Sequence, residues 1–435
     1  MAAPPLTDPE LSDRPAPEPG RRRFRAGERS LLRNRDFLHL WAAETVSQVG
    51  SQVSTLALPL LAITTLHATK FEVGALTAVE FAPFLIVGLP AGVIVDRHRR
   101  RPMLMIGDIG RAIALLSIPI AWWLGWLRLA QLFVVVFITG VLTVFFDVAY
   151  QSYLPALVDA DQLGDGNAKL QISDSGAQIA GPGLAGSLVQ LVGAPASVLV
   201  DAISFVFSAG SVSRIRGSEP PIDAPPKEER APMRSQIAEG LRYVLGHPVL
   251  RGVAGCTATS NYFSSMSAAV IIYYLARSLH YSAGLIGLLF MVANLGFFCG
   301  AAVSGRVERA LGLGRTIWMS ILVGQLGGIV VGFSPRSHAF GWLAGGLLLT
   351  ALGGPIYNIA QVSYRQAITP NNLLGRMNAS MRFMVWGTMP LGALSGGVLG
   401  TLFGLKTTLI VAGIGGLLSV LFVLTKPVRT LVSVA

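Results

Sequence analysis

Glu44, Glu80, Asp108, Arg111, Asp147, Asp174 and Asp201 all stand inside segments that are otherwise apolar. A charged group held away from water is costly, so each needs a partner, a wet cavity or a change of protonation. Asp108 and Arg111 are three residues apart on one helical face and are expected to pair with each other. Asp147, near the end of its segment, is expected to act as a gate, a cap or a proton site. Glu44, Glu80 and Asp174 are the proton-carrier candidates, because a desolvated carboxyl group can take up and release a proton as its access to water changes. Glu44 leads this set through its neighbours. Glu44, Ser47, Gln48, Ser51 and Gln52 follow the spacing i, i+3, i+4, i+7, i+8, which places them on one helix face. Thr257, Ser260, Asn261, Ser264 and Ser265 repeat that spacing far along the chain. A polar face surrounded by apolar sequence must look inward or onto water, so the two stripes are expected to line a substrate cavity. The competing role, for the serines above all, is hydrogen bonding between helices, worth about 1 kcal/mol each.

The segments that carry these residues are of membrane length. The chain has 435 residues, 52% hydrophobic and 13% charged, whereas soluble domains carry about 25% charged residues. Apolar runs of about 20 residues, enough to cross a bilayer, fall at 37–66, 72–95, 103–124, 129–151, 168–192 and 195–213. Six more fall at 249–277, 283–304, 315–333, 339–360, 378–403 and 406–425, which makes twelve expected crossings. Residues 1–34, rich in proline and arginine, are expected to be a disordered cytoplasmic tail. The expected layout is a first six-helix bundle over 35–213, a cytoplasmic linker over 214–247, a second bundle over 248–426 and a short tail over 427–435. Within the linker, Ile237, Leu241, Val244 and Leu245 share one face of a short amphipathic helix, expected to lie on the membrane surface.

The net charge of +11 reports topology rather than nucleic-acid binding, because the basic residues sit in short loops between apolar runs. With both termini inside the cell, the external loops carry only Lys70, Arg128, Arg277, Arg336 and Lys406, and the reverse orientation breaks the positive-inside rule. The densest basic loop follows the second segment, where Arg97, Arg99, Arg100 and Arg101 crowd behind Asp96. The two halves of the chain also repeat each other. A gapless shift that carries Thr139 onto Thr350 pairs Tyr153 with Tyr364, Gly164 with Gly375, Asn167 with Asn378, Gly181 with Gly392, Gly186 with Gly397 and Gly193 with Gly404. Such parallel repeats place a binding site near the bilayer midplane.

Gly92, Asp96, Arg97, Arg100 and Arg101 match GxxxDRxxRR, which resembles the loop between helices 2 and 3 of the major facilitator superfamily of secondary transporters. Ala177, Gly181, Pro182 and Gly186 resemble the fifth-helix motif of its exporting branch, with alanine at 177 and 185 where glycine is usual. The opening RNRDFLHLWAAETVSQVGSQVS and the stretch YQSYLPALVDADQLGDGNA look like the bacterial efflux-type permeases, macrolide-efflux-like and siderophore-exporter-like. The arginine that many proton antiporters of the superfamily carry in helix 4 is absent from LFVVVFITGVLTVFFDVAY.

The resemblance implies an all-α membrane protein with twelve transmembrane helices in two parallel six-helix repeats. It implies a gating role for the basic loop and a packing role for the fifth-helix motif. The implied function is proton-driven export of a small amphiphilic organic compound by alternating access, from a monomer in the plasma membrane. Import or facilitated diffusion of a solute, or a sensor that transports nothing, are the alternatives. The partners implied are lipid, a small molecule and protons, with no nucleic acid and no cofactor. An enzyme is not expected, since there is no GxxxxGK[ST] loop, and the scattered histidines with Cys256 and Cys299 form no metal-binding pattern.

Overall fold

A computed structural model describes residues 31–95, 97–159, 162–217, 233–429 and 431, and every regular element among them is helical. The principal helices are α1 (Arg35–Thr64), α2 (Lys70–Ile86), α3 (Gly88–Val95), α4 (Arg100–Trp123), α5 (Leu129–Leu157), α6 (Leu163–Val192) and α7 (Ala194–Val212). They continue with α8 (Met233–Gly246), α9 (Pro248–Tyr273), α10 (Ala283–Leu311), α11 (Leu313–Gly332), α12 (Ala339–Ile368), α13 (Asn371–Trp386), α14 (Thr388–Leu402), α15 (Leu405–Val423) and α16 (Lys426–Arg429). Residues 1–30 of the expected tail over 1–34, Asp96, the part of the linker over 218–232, and 430 and 432–435 of the second expected tail lie outside the described residues, while Leu31 is buried and Asn34 caps α1.

Among the described residues, nine helical stretches are long and apolar enough to cross a membrane. The expected crossings at 72–95, 168–192 and 249–277 do not meet that measure. The first is divided between α2 and α3, while α6 and α9 carry many polar side chains. The division has a covalent cause. Pro90 has no N–H to give the carbonyl of Ile86, so the ladder ends at Val87 and restarts. Pro390 stands in the same relation to Trp386, and there α13 gives way to α14 at Gly387.

Side chains and glycines set the other boundaries. Asn34 Oδ1 accepts from Asp36 N at 3.1 Å and Phe37 N at 3.2 Å, starting α1. Thr69 and Glu72 form a reciprocal capping box at α2. Gly193 (φ 83°, ψ 158°) turns α6 into α7, and Gly404 (φ 89°, ψ 157°) turns α14 into α15. Only glycine enters that region without strain.

Packing brings α1 against α6 and α7, α4 against α5 and α7, and α2 against α5. It also brings α9 against α14 and α15, α11 against α12 and α15, and α10 against α12. The first seven helices meet the later ones chiefly where α6 crosses α10 and α2 crosses α14. These crossings are backbone contacts. A Cβ on Gly186 would lie 2.4 Å from Ala283 O and 2.9 Å from Gly287 Cα. One on Gly74 would lie 2.6 Å from Gly397 Cα. Nearby, Arg277 Nη2 donates to Ile63 O at 2.5 Å, Gly284 N to Gln190 Oε1 at 3.0 Å and Asn294 Nδ2 to Gln178 O at 2.5 Å. The C-terminal ends of α1, α6, α9 and α14 therefore meet the N-terminal ends of α2 and α10 in one sealed layer.

The linker helix α8 does not lie free on a surface. Val244 is fully buried with Met377 and Met381 of α13, and a Cβ on Gly240 would strike Arg376 O at 2.5 Å. Arg376 Nη1 reaches Glu239 Oε2 at 2.5 Å and Tyr243 donates to Ile368 O at 3.2 Å. Of the residues expected on its apolar face, Val244 is buried, Leu241 is partly buried and Leu245 is exposed, while Ile237 lies outside the described side chains.

Gly193→Ala and Gly404→Ala should each cost about 1–3 kcal/mol, the scale of forcing a side chain into that backbone region. Thermal unfolding of the purified protein should show both melting well below the wild type, whereas Gly354→Ala, whose Cβ meets open space, should not change.

Candidate functional site

The stripe that begins at Glu44 lines a cavity of about 330 Å³ formed by α1, α2, α4, α5 and α7. Glu44, Ser47, Gln48 and Ser51 face it from α1, Glu80 from α2, Arg111 from α4, Asp147 from α5 and Asp201 from α7. Gln52 turns away, its side chain filling the space beside Gly181 of α6. Phe81, Phe84, Phe146 and Phe205 supply apolar wall.

The arginine is fully committed. Its Nη2 lies 2.6 Å from Asp108 Oδ1, and Ser208 donates to Asp108 Oδ2 at 2.6 Å. Its Nε reaches Gly107 O at 3.3 Å and its Nη1 Thr143 Oγ1 at 3.4 Å. The guanidinium is held between Phe146 and Phe205, 4.2 and 4.1 Å from the ring centroids, a geometry that favours a desolvated cation. Asp201 is similarly held, accepting from Ser204 at 3.2 Å and Ser51 at 3.5 Å.

Glu44 is held on one side only. Gln48 Nε2 donates to its Oε1 at 2.7 Å, while its buried Oε2 has no hydrogen-bond partner among the described residues. Glu80 and Asp147 make no hydrogen bond among the described residues, although Asp147 lies within the electrostatic reach of Arg111. Four carboxyl groups thus share a cavity whose cation is already paired with Asp108. Protons or a cationic group can balance that charge. Asp174 is not part of this cavity; it sits on α6, accepting from Gln178 at 2.8 Å and Gln171 at 3.3 Å.

The stripe on α9 is arranged differently. Ser260 accepts from Gln325 at 2.8 Å, Asn261 donates to Val385 O at 2.8 Å, Ser265 donates to Met389 O at 2.8 Å, and Thr257 bonds Tyr357 OH at 2.7 Å. Ser264 is exposed. The structure therefore does not bring the two stripes together as walls of one cavity, because the polar groups of α9 are occupied by α11, α12, α13 and α14. Thr257 alone also borders a second cavity, of about 620 Å³.

That second cavity lies between α2, α3 and α5 on one side and α9, α12 and α13 on the other, at the end away from the sealed layer. Phe84 borders both cavities and stacks edge-on against Trp386, centroids 4.8 Å apart. Arg365 and Arg382 face the second cavity. The rule that singles out Arg111 applies equally to Arg382, inside the segment 378–403, whereas Arg365 reads from sequence as an ordinary loop residue.

The basic loop sits at this same end. Gly92 borders the second cavity with open space around a Cβ position, so no close backbone approach explains it here. Arg97 is exposed, Arg100 is partly buried and Arg101 donates to Val212 O at 3.3 Å and Ser213 O at 2.5 Å, where a cation suits the end of α7. Asp96 lies outside the described residues. Of the fifth-helix motif, Ala177, Gly181 and Pro182 are buried in α6 and Gly186 forms the contact with α10.

Comparison with known proteins gives one family. Residues 26–434 match the family described as transmembrane secretion effector. An uncharacterised MFS-type transporter of Sinorhizobium fredii is 27% identical over 92% of this chain and 96% of its own. The multidrug efflux pump Tap of Mycolicibacterium fortuitum is 26% identical over 86% and 90%. The enterobactin exporter EntS of Citrobacter koseri is 26% identical over 80% and 82%. Among solved structures, a bacterial homologue of the iron transporter ferroportin in an inward-facing state superposes with a TM-score of 0.72 at 18% identity, covering 91% of this chain and 99% of that one.

Removing Arg111 should strand Asp108 as a buried, unpaired charge, at a cost of about 3–5 kcal/mol. Arg111→Met should lose most of its monodisperse yield after extraction, and adding Asp108→Asn should restore much of it. Equal yields from the single and double variants would contradict the pairing.

Proposed function

The chain belongs to the transmembrane secretion effector family of major facilitator transporters, and from that premise we propose that it is a proton-driven exporter of a small amphiphilic organic compound. The observation that carries the coupling is the cavity in which Glu44, Glu80, Asp147 and Asp201 face one another beside an arginine already neutralised by Asp108. A site of this kind can exchange protons without unpairing a buried ion pair. Glu44 is the proposed carrier, because its unpartnered Oε2 is free to gain or lose a proton while Gln48 holds the rest of the group. Glu80 is the proposed second site, and Asp174, outside the cavity, is the weakest of the three candidates. The relatives described as an efflux pump and an exporter support the direction.

Twelve crossings are proposed, with α2 and α3, α6 and α9 spanning alongside the nine apolar stretches. The polarity that keeps α6 and α9 below the apolar measure is expected of helices that line an internal path. We assign 35–213 and 248–426 as two parallel repeats. Repeat-related glycines support this: Gly193 and Gly404 share one backbone conformation, and Gly186 and Gly397 each sit at a crossing between the two halves. Residues 214–247 join the halves on the cytoplasmic side, with both termini on that side of the plasma membrane. The state is then open to the cytoplasm, and the space around Gly92 is where the basic loop would close in the opposite state.

Two measurements test this. In everted vesicles, Glu44→Gln should bind and exchange a fluorescent substrate found by screening, yet lose gradient-driven accumulation by about tenfold or more, the scale expected when a group that transfers protons is removed. Full accumulation by Glu44→Gln would move the role to Glu80. In a Cys299→Ser background, an impermeant thiol reagent applied to intact cells should label Lys70→Cys and Arg336→Cys and spare Arg216→Cys; labelling of Arg216→Cys would invert the topology.

A further inference from the structure

The cavity of about 620 Å³ between the halves differs in chemistry from the one around Glu44. Its polar wall includes Arg365 and Arg382 with the amides of Gln151, Asn358, Gln361 and Asn378, and no acidic side chain lines it among the described residues. None of the ion pairs among the described residues includes either arginine. Among the described residues, the Arg365 guanidinium reaches only Gln361 Oε1, at 3.5 Å, and its buried Nε has no hydrogen-bond partner. Arg382 is exposed to the cavity, with its guanidinium 5.1 Å from the centroid of Trp386.

The two guanidinium groups lie close enough for their charges to repel. An acid within reach of Arg382 is Asp147, which faces the other cavity beyond Phe84. A topogenic role would account for arginines near a helix end, but such side chains satisfy themselves by extending to water. These two instead border one cavity between the halves, Arg382 beside an indole, and Arg365 keeps an N–H unsatisfied among the described residues. A pair of like charges in such a place is costly until something supplies the opposite charge.

We propose that this cavity is the subsite for an anionic group on the transported molecule, a carboxylate or another oxyanion attached to an aromatic body. The oxyanion binds between Arg365 and Arg382, whose planar forks suit two-point pairing with it. The aromatic body lies against Phe383 and Trp386, which also border the cavity. The amides complete the hydrogen bonding without adding charge. An anion on Arg382 screens the field that Arg382 exerts at Asp147, which links occupancy of this cavity to the charge of the other. The subsite rests on the reading of the chain as a transporter, and it is independent of transport direction and of proton coupling.

The test is equilibrium binding to purified protein in nanodiscs of uncharged net lipid, read by tryptophan-to-dansyl energy transfer. The probes are dansylglycine, which carries a carboxylate, and dansylglycinamide, its neutral counterpart. Dansylglycine should bind saturably and at least about tenfold more tightly than the amide, the scale of a charge-assisted bidentate contact. Arg382→Gln, at an exposed side chain, should bring the acid down to the affinity of the amide while leaving the amide within about twofold of wild type. Arg365→Gln should do the same in part, and Arg382→Lys should keep part of the preference. Equal affinities in the wild type, no saturable binding of the acid, or a preference that survives both glutamine variants as monodisperse protein would each overturn the subsite. A preference for the acid without gradient-driven export would instead sink the proposed coupling and leave the subsite standing.

Discussion

The rest of the structure depends on a steric constraint: at two crossings between early and late helices, backbone touches backbone. Gly186 meets Gly287 and Gly74 meets Gly397 at distances no side chain could occupy. Helices that approach this closely gain dispersion contacts along their backbones, the main attraction available between helices among lipid tails. Because these contacts lie at one end, they seal that end and leave the opposite ends of the helices apart. The second cavity, walled by helices of both halves, follows from that asymmetry.

The sealed end determines where charge can be placed. Away from it, the carboxyl groups of one cavity and the arginines of the other face spaces that can take up protons, solutes or water. Phe84 and Trp386 stand between the two, and the breaks caused by Pro90 and Pro390 fall within a few residues of that pair. Broken helices beside an internal site leave carbonyls without their ladder partners, and a protein can tolerate this only where other groups or water reach them.

Much of this was legible in the sequence. The spacing from Glu44 to Gln52 marked one helix face, and the structure puts Glu44, Ser47, Gln48 and Ser51 of it on a cavity while Gln52 turns towards Gly181. The pairing of Asp108 with Arg111 follows from local spacing alone, and the geometry at 2.6 Å is of that kind. The polar face of α9 was misleading for a reason of the same physics. Identical spacing on α1 and α9 reveals which side chains share a face but not what meets them, and the partners of α9, Gln325, Val385, Tyr357 and Met389, come from distant positions. Arg365 escaped notice because its cavity is made by helices from both ends of the chain.

The most direct test of the account is the opposed motion of the two ends. Spin-label pairs at Phe71→Cys with Thr401→Cys, on the sealed end, and at Arg97→Cys with Gly375→Cys, on the open end, report it by pulsed electron resonance in a Cys299→Ser background. Changing pH across the titration of the cavity carboxyl groups, or replacing Glu44 by Gln, should lengthen one distance while shortening the other. Two distances that stay fixed, or that move in the same sense, would contradict the account.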